Sequence, residues 1–324
     1  MITVVGDHAP RMHEAQDEGR HPRGAPGWQE SVLLHWWDER TGIGGFHRIG
    51  HEVEATGDRT NLWHGIMTRD GRVFRRYLNV GAASNQFAVD RFDCTDAYVV
   101  RTGPRTHWSL VDPDCSVEID VEDFHQPFDP FPASSGTLAK DYASNHFEVS
   151  GRVTGRVVLE GRSHSVDGLG YRDHSWGLRN WATLLSHRWV VGSCGPDLSF
   201  GAISWHGVDS TLRKYGYVVR DGRFLPATEI DIVTFMEVDA MTHRGGEVTL
   251  ALADGSTSRI RATPVAGIVT LHRNIATVDE LCAVDLNGRP GYCDFEITTN
   301  PRNGSGPLSG LVRATHQEGL VWST

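Results

Sequence analysis

The run from Gly168 to Trp181, Gly-Leu-Gly-Tyr-Arg-Asp-His-Ser-Trp-Gly-Leu-Arg-Asn-Trp, holds the densest set of residues in this chain that could do chemistry. Asp173 and His174 can hold or move a proton, Arg172 and Arg179 can fix an anion, and Trp176 and Trp181 offer π-surface. A solvated loop would not carry so much aromatic surface, and a plain core strand would not carry so many ionisable groups. If the run is packed, its polar groups must be paired or form a site. Read as an extended strand, Arg172, His174, Trp176 and Leu178 share one side, and Tyr171, Asp173, Ser175 and Gly177 share the other. The spacing therefore predicts that His174 and Trp176 face a cavity together. Asp173 stands behind them, unless a bulge re-aims it. The plain alternative is a buried strand whose His and Trp pack and whose Asp173 pairs with Arg172 or Arg179.

Other candidates are more dispersed. His47 and His51 are an even offset apart and share a strand face, with His35 and His64 on neighbouring strands. Such a set can ligate zinc, but no H-E-x-x-H, C-x-x-C or acidic triad supports a metal, and pairing within a β-core is the favoured reading. Trp63 and Trp205, like the other tryptophans, fill cores or line an apolar cavity. Gly42-Ile-Gly-Gly lacks the full dinucleotide fingerprint and no helix follows it. No G-x-S-x-G elbow is present. The sequence calls for no cofactor.

The 324 residues exceed the usual single-core size, so two domains are expected. The net charge of −10, with no basic run, argues against nucleic acid and anionic membrane surfaces as partners. The five cysteines are scattered, as free thiols in a reducing cytoplasm would be. No secretory h-region is seen and no apolar run approaches the ~18 residues of a membrane span.

The elements that must position these residues read as short strands. Ser31–Trp37 and Ile43–His51 form a hairpin, and Asn61–Met67 and Val73–Leu78 flank an Asp-Gly turn. A strand from Phe87, then 97–101, 107–111 and 117–122 continue the series. A Pro- and Ser-rich connector follows at 123–145, with one short helix at 137–142. After the motif, Asp221-Gly222, Asp254-Gly255 and Asn287-Gly288 mark further hairpins. The fold class is all-β, with two antiparallel barrel or sandwich domains. The expected divisions are a polar, mobile N-terminal arm over 1–26, an N-terminal β-domain over 27–165 and a C-terminal β-barrel over 166–324. The motif would then open the second domain.

The pattern Gly-x-Gly-x-Arg-Asp-His-Ser-Trp-Gly-x-Arg-x-Trp resembles the signature of the AttH-like, carotenoid 1,2-hydratase-like superfamily. The segments 42–52, 61–64, 146–153 and 291–296 are similar to that family too, so the resemblance spans about 31 to 301. It implies tandem lipocalin-like domains. It also implies one of three roles: a cofactor-free hydratase (a lyase) acting on an isoprenoid-like or prenylated substrate, a Diels-Alderase-like pericyclase or isomerase, or a non-enzymatic carrier of an apolar small molecule. Hydratase chemistry is the leading expectation. His174, Asp173 and Trp176 would be catalytic, and Arg172, Arg179, Trp181, His47, Trp63, His64 and Trp205 would bind substrate. Trp176 could stabilise a cation through its π-face, worth ~2 kcal/mol when desolvated. A homodimer is compatible with the sequence.

Overall fold

The computed structural model describes residues 3–4, 9–21, 24–81, 91–131, 144–238, 243–272 and 275–300. Among them are strands and two short 3₁₀ turns but no α-helix. The fold is all-β, as the alternating sequence requires. In 115–123, for example, Cys115, Val117, Ile119 and Val121 are buried while Glu118, Asp120 and Glu122 are exposed. The helix expected at 137–142 and the residues before Arg91 in the strand expected from Phe87 lie outside the described residues.

The chain forms two compact units that divide between Arg179 and Asn180. A short strand, β1 (Thr3–Val4), belongs with the second. The first contains β2 (Arg11–Met12), β3 (Trp28–Asp38), β4 (Ile43–Glu54), β5 (Gly57–Thr68), β6 (Val73–Gly81), β7 (Arg91–Cys94), β8 (Ala97–Thr102), β9 (Arg105–Asp112), β10 (Cys115–Asp123), β11 (Phe128–Asp129), β12 (Asn145–Leu159) and β13 (Arg162–Leu178). The sheet runs β6-β5-β4-β3-β13-β12-β10-β9-β8-β7, and β7 returns against β4 and β5, so the sheet nearly closes into a barrel. Its interior is filled by Val32, Leu34, Trp36, Ile49, Phe92, Trp108 and their neighbours.

The motif strand β13 is central to this first unit, between β3 and β12. The boundary expected between 165 and 166 falls inside β13. The first half of β13 alternates in burial, but 170–177 are buried throughout. Nor does the polar arm lie free over its described length. β2 pairs with β11, and a 3₁₀ turn over Ala15–Glu18 is closed by the Asp17 carboxylate accepting from the Glu14 N–H at 2.9 Å.

The second unit is an eight-stranded meander: β14 (Leu184–Ser193), β15 (Leu198–Gly207), β16 (Leu212–Arg220), β17 (Arg223–Met236), β18 (His243–Leu252), β19 (Thr257–His272), β20 (Ile275–Leu286) and β21 (Arg289–Thr299). Each strand pairs with the next, and β21 pairs back with β14, closing the barrel. β1 adds to the start of β17. Asp221-Gly222 and Asn287-Gly288 have positive φ at both residues, as the tight hairpin turn demands.

Candidate functional site

Pairing of β13 with β3 places Glu30 opposite Trp176 and Val32 opposite His174. All four side chains then lie on one face, that of the core residues Val32 and Leu34. His174 Nε2 lies 3.2 Å from Glu30 Oε1, with His174 1% and Glu30 0% exposed. The imidazole's other nitrogen, Nδ1, is buried with no hydrogen-bond partner among the described residues. His174 and Trp176 are neighbours, with ring centroids 4.8 Å apart, and Phe92 meets the imidazole edge-on at 5.3 Å.

The N-terminal arm completes this cluster. The His21 backbone N–H and Nδ1 both approach Glu30 Oε1, at 3.0 and 2.9 Å. The His21 ring stacks on Trp176 at 3.6 Å, so one Trp176 face is taken. Arg20 sits 3.5 Å from Glu30 Oε2, donates to His51 Nδ1 at 2.7 Å and lies over Phe92. Burial alone would raise the Glu30 carboxyl. Hydrogen bonds from His174 and His21, with the Arg20 charge, outweigh burial and hold it at about 2.

Arg172 points to the same face but does not pair with Asp173. It donates to Asp123 at 2.8 and 2.7 Å and to Glu18 at 2.8 Å. Arg101 joins both carboxylates at 2.9 Å. Burial opposes charge on Glu18, but Arg172 and Arg101 prevail and hold its carboxyl at about 2. Two spaces flank this ion cluster. One is an open cavity of about 650 Å³ lined by His13, Glu18, Arg101, Asp123 and His125. The other is a small void of about 20 Å³ lined by Val32, Phe92, Trp108, Arg172 and Asp173. Both touch Glu18 and Arg101. The indole N–H of Trp108 is buried without a partner.

Asp173 lies on the opposite face, where Glu148 is its cross-strand neighbour. Burial raises its carboxyl above the usual range, His146 and Arg179 partly offset this, and Glu148 reinforces it. His146 Nε2 pairs with Glu148 at 3.1 Å. Arg179 donates to Ser175 on this face. Trp63 is also here, beneath the Arg48 guanidinium at 4.3 Å.

His47 and His64 face the interior. Their Nδ1 atoms are 2.9 Å apart, and Trp36 donates to His47 Nε2 at 2.9 Å. Burial lowers both imidazoles, His64 to about 3. His35 points the other way and stacks on Tyr171, so the four histidines do not converge. Trp181, in a 3₁₀ turn, and Trp205, stacked on His187, belong to the second unit. The structure thus brings His174, Trp176, Arg172, His47 and His64 to one face of the first unit, with Asp173, Arg179 and Trp63 on the other.

Among the described residues, two groups bring three ligand-type atoms within 4.8 Å of one another. They are His21, Glu30 and His174, and Asp279, Asp294 and Glu296. In the first, Arg20 already supplies a counter-charge to Glu30. Sequence reasoning missed Glu30, His21, Arg20 and Glu18. Glu30 carried a signal, as a carboxylate two residues before the apolar run Val32-Leu33-Leu34.

The architecture is shared with solved structures of low sequence identity. It is similar to a protein of Nitrosomonas europaea assigned as AttH, at 12% identity and TM-score 0.69, over 90% of this chain and 97% of that one. It is similar to CghA bound to Sch210972, at 11% identity and TM-score 0.59, over 91% and 97%. It is also similar to kievitone hydratase from Nectria haematococca, at 9% identity and TM-score 0.58, over 92% and 96%. These likenesses establish the fold, which is the tandem lipocalin-like architecture that the motif resemblance implied. No curated protein sequence matches the chain. A family model described as "Domain of unknown function (DUF7064)" matches residues 14–301, and the chain belongs to that family.

Proposed function

We propose that the first unit carries a cofactor-free hydratase site, adding water to a C=C bond of an apolar, isoprenoid-like or prenylated small molecule. One observation carries the reading: Glu30 holds His174 through Nε2, while Nδ1 remains buried and unpartnered. That is the arrangement of a general acid–base, an imidazole fixed by a carboxylate with one nitrogen left to exchange a proton. A void of about 20 Å³, room for about one water, is lined by Phe92, which meets the His174 ring, and by Trp108. Phe92 and Trp108 offer ring surface to a developing cation, and the free Trp108 N–H offers a donor to a water. Substrate would come from the 650 Å³ cavity past the Glu18–Arg172 pair. With one Trp176 face covered by His21, we assign Trp176 to positioning His21 and His174. Five buried free thiols accord with a reducing, cytoplasmic setting. Among the described residues no helix is long and apolar enough to cross a membrane.

The test is incubation with prenylated aromatic and acyclic isoprenoid substrates, read by mass spectrometry. The expected product gains one water, and His174→Gln and Glu30→Gln each lower turnover at least about 100-fold. Full turnover by His174→Gln would overturn the assignment. Loss in Asp173→Asn alone would move the acid to the opposite face, where burial already keeps that carboxyl protonated to higher pH. A product of unchanged mass would replace hydration with an isomerase or pericyclase reading, and tight binding without turnover would leave a carrier.

A further inference from the structure

The second unit carries ionisable side chains that the hydratase reading does not use. Along β21, Asp294 and Glu296 alternate with Cys293, Phe295 and Ile297, which belong to the barrel core. The two carboxylates therefore project from the outer face. Asp279 of β20 is opposite Glu296 in register. Oxygens of all three lie within 4.8 Å of one another, and all three residues are buried. His187 of β14 places Nε2 2.7 Å from Glu296 Oε1, and Thr298 Oγ1 donates to the same oxygen at 2.6 Å. Glu296 is thereby held in place.

Asp279 is the residue that points to something bound. It is 1% exposed, and among the described residues neither carboxylate oxygen has a hydrogen-bond partner. Burial first, and then the charge of Glu296, push its carboxyl well above the ordinary range. Asp294 is pushed the same way by burial and by Asp279 and Glu296. Buried carboxylates this close can keep protons or share a cation. The His21–Glu30–His174 group has a guanidinium to balance it, whereas among the described residues Asp279 has neither donor nor counter-charge. Three carboxylates from adjacent strands, aimed at one point beside an imidazole, form an oxygen-rich donor set suited to a hard divalent ion.

We propose that Asp279, Asp294 and Glu296, with His187 positioning Glu296, form a divalent-cation site of the Mn2+ or Mg2+ class in the second barrel. The site is separate from the His174 cluster and stands or falls independently of it. Its test uses full-length protein stripped with chelator and titrated with MnCl2, with free Mn2+ followed by electron paramagnetic resonance. One Mn2+ per chain is expected near neutral pH, with protons released as the carboxyls ionise. Asp279→Asn should weaken binding at least about ten-fold, and the surface control Asp254→Asn should not. Absence of saturable binding, or binding untouched by Asp279→Asn, overturns the proposal. Should Asp279→Asn fail to fold, Glu296→Gln and the unsubstituted protein decide. A Tm that rises with Mn2+ beyond the effect of NaCl at equal ionic strength supports the site. An equal response to both salts means a proton-sharing carboxyl group only, and overturns it.

Discussion

Glu30 is the residue on which the first unit's polar interior depends. His174, His21 and Arg20 all approach its carboxylate, and it is fully buried. Removing one member of a buried charge cluster leaves the charge of the others uncompensated. Glu30→Ala is therefore expected to cost about 3–5 kcal/mol in urea denaturation, with Glu30→Gln costing less because it keeps an acceptor and its volume. A loss below about 1 kcal/mol for the alanine variant would mean that the arm and β13 are held by other contacts. Part of this site was legible in the sequence. Alternation alone put His174 beside Trp176 and Asp173 behind them. Glu30 and His21 were not, because Glu30 reaches His174 across 144 positions of chain, and no local period records such a pairing.

At the level of elements, the local signals were strong wherever a strand met its successor. The hairpins around Gly71, Gly222 and Gly288 follow from turn chemistry that the sequence states outright. The pairing of β3 with β13 does not. It brings 28–37 against 169–178 and moves the motif into the first unit. Residues 123–145 and the early arm carry no apolar period, so a two-residue strand pair such as β2–β11 leaves no trace in the pattern. Curvature is equally silent, yet one residue shows how it is made. Gly155, in β12, has φ +143°, and a Cβ there would sit 2.2 Å from the Glu118 carbonyl oxygen of β10. Only glycine lets the two strands approach this closely at that φ. Gly155→Ala should cost about 2–4 kcal/mol, combining backbone strain with a forced shift of β10. Differential scanning calorimetry would check it, with Gly161→Ala, at an open turn of positive φ, as the strain-only comparison. Equal losses in the two variants would refute the close-approach argument.

Across the molecule as a whole, the buried ionisable groups set how stability depends on pH. His35 and His64 are lowered by burial to about 3 from 6.5, and His13 to about 4. Once unfolded, each binds a proton near 6.5, while the folded protein refuses it until far lower pH. Stability from these groups is therefore complete above pH 6.5 and falls as pH drops toward 4. Glu18 and Glu30 act in the same direction. Held at about 2 against an ordinary 4.5, they contribute above pH 4.5 and lose that contribution as pH falls toward 2. Asp173, Asp279 and Asp294 are raised by burial, and their contribution is lost as pH rises through their folded values. Acid destabilisation should therefore begin with the histidines, before ordinary carboxylates titrate. Each titrating group adds a slope of about 1.4 kcal/mol per pH unit, so His35 and His64 together give about 3. The raised aspartates oppose this slope over the same interval, so the test is a difference: from pH 7 to pH 4.5, His64→Gln should shift the dependence of urea stability on pH by about one proton toward greater acid tolerance. A slope left unchanged by His64→Gln would mean that His64 accepts its proton without unfolding, and that its surroundings in the first unit are hydrated.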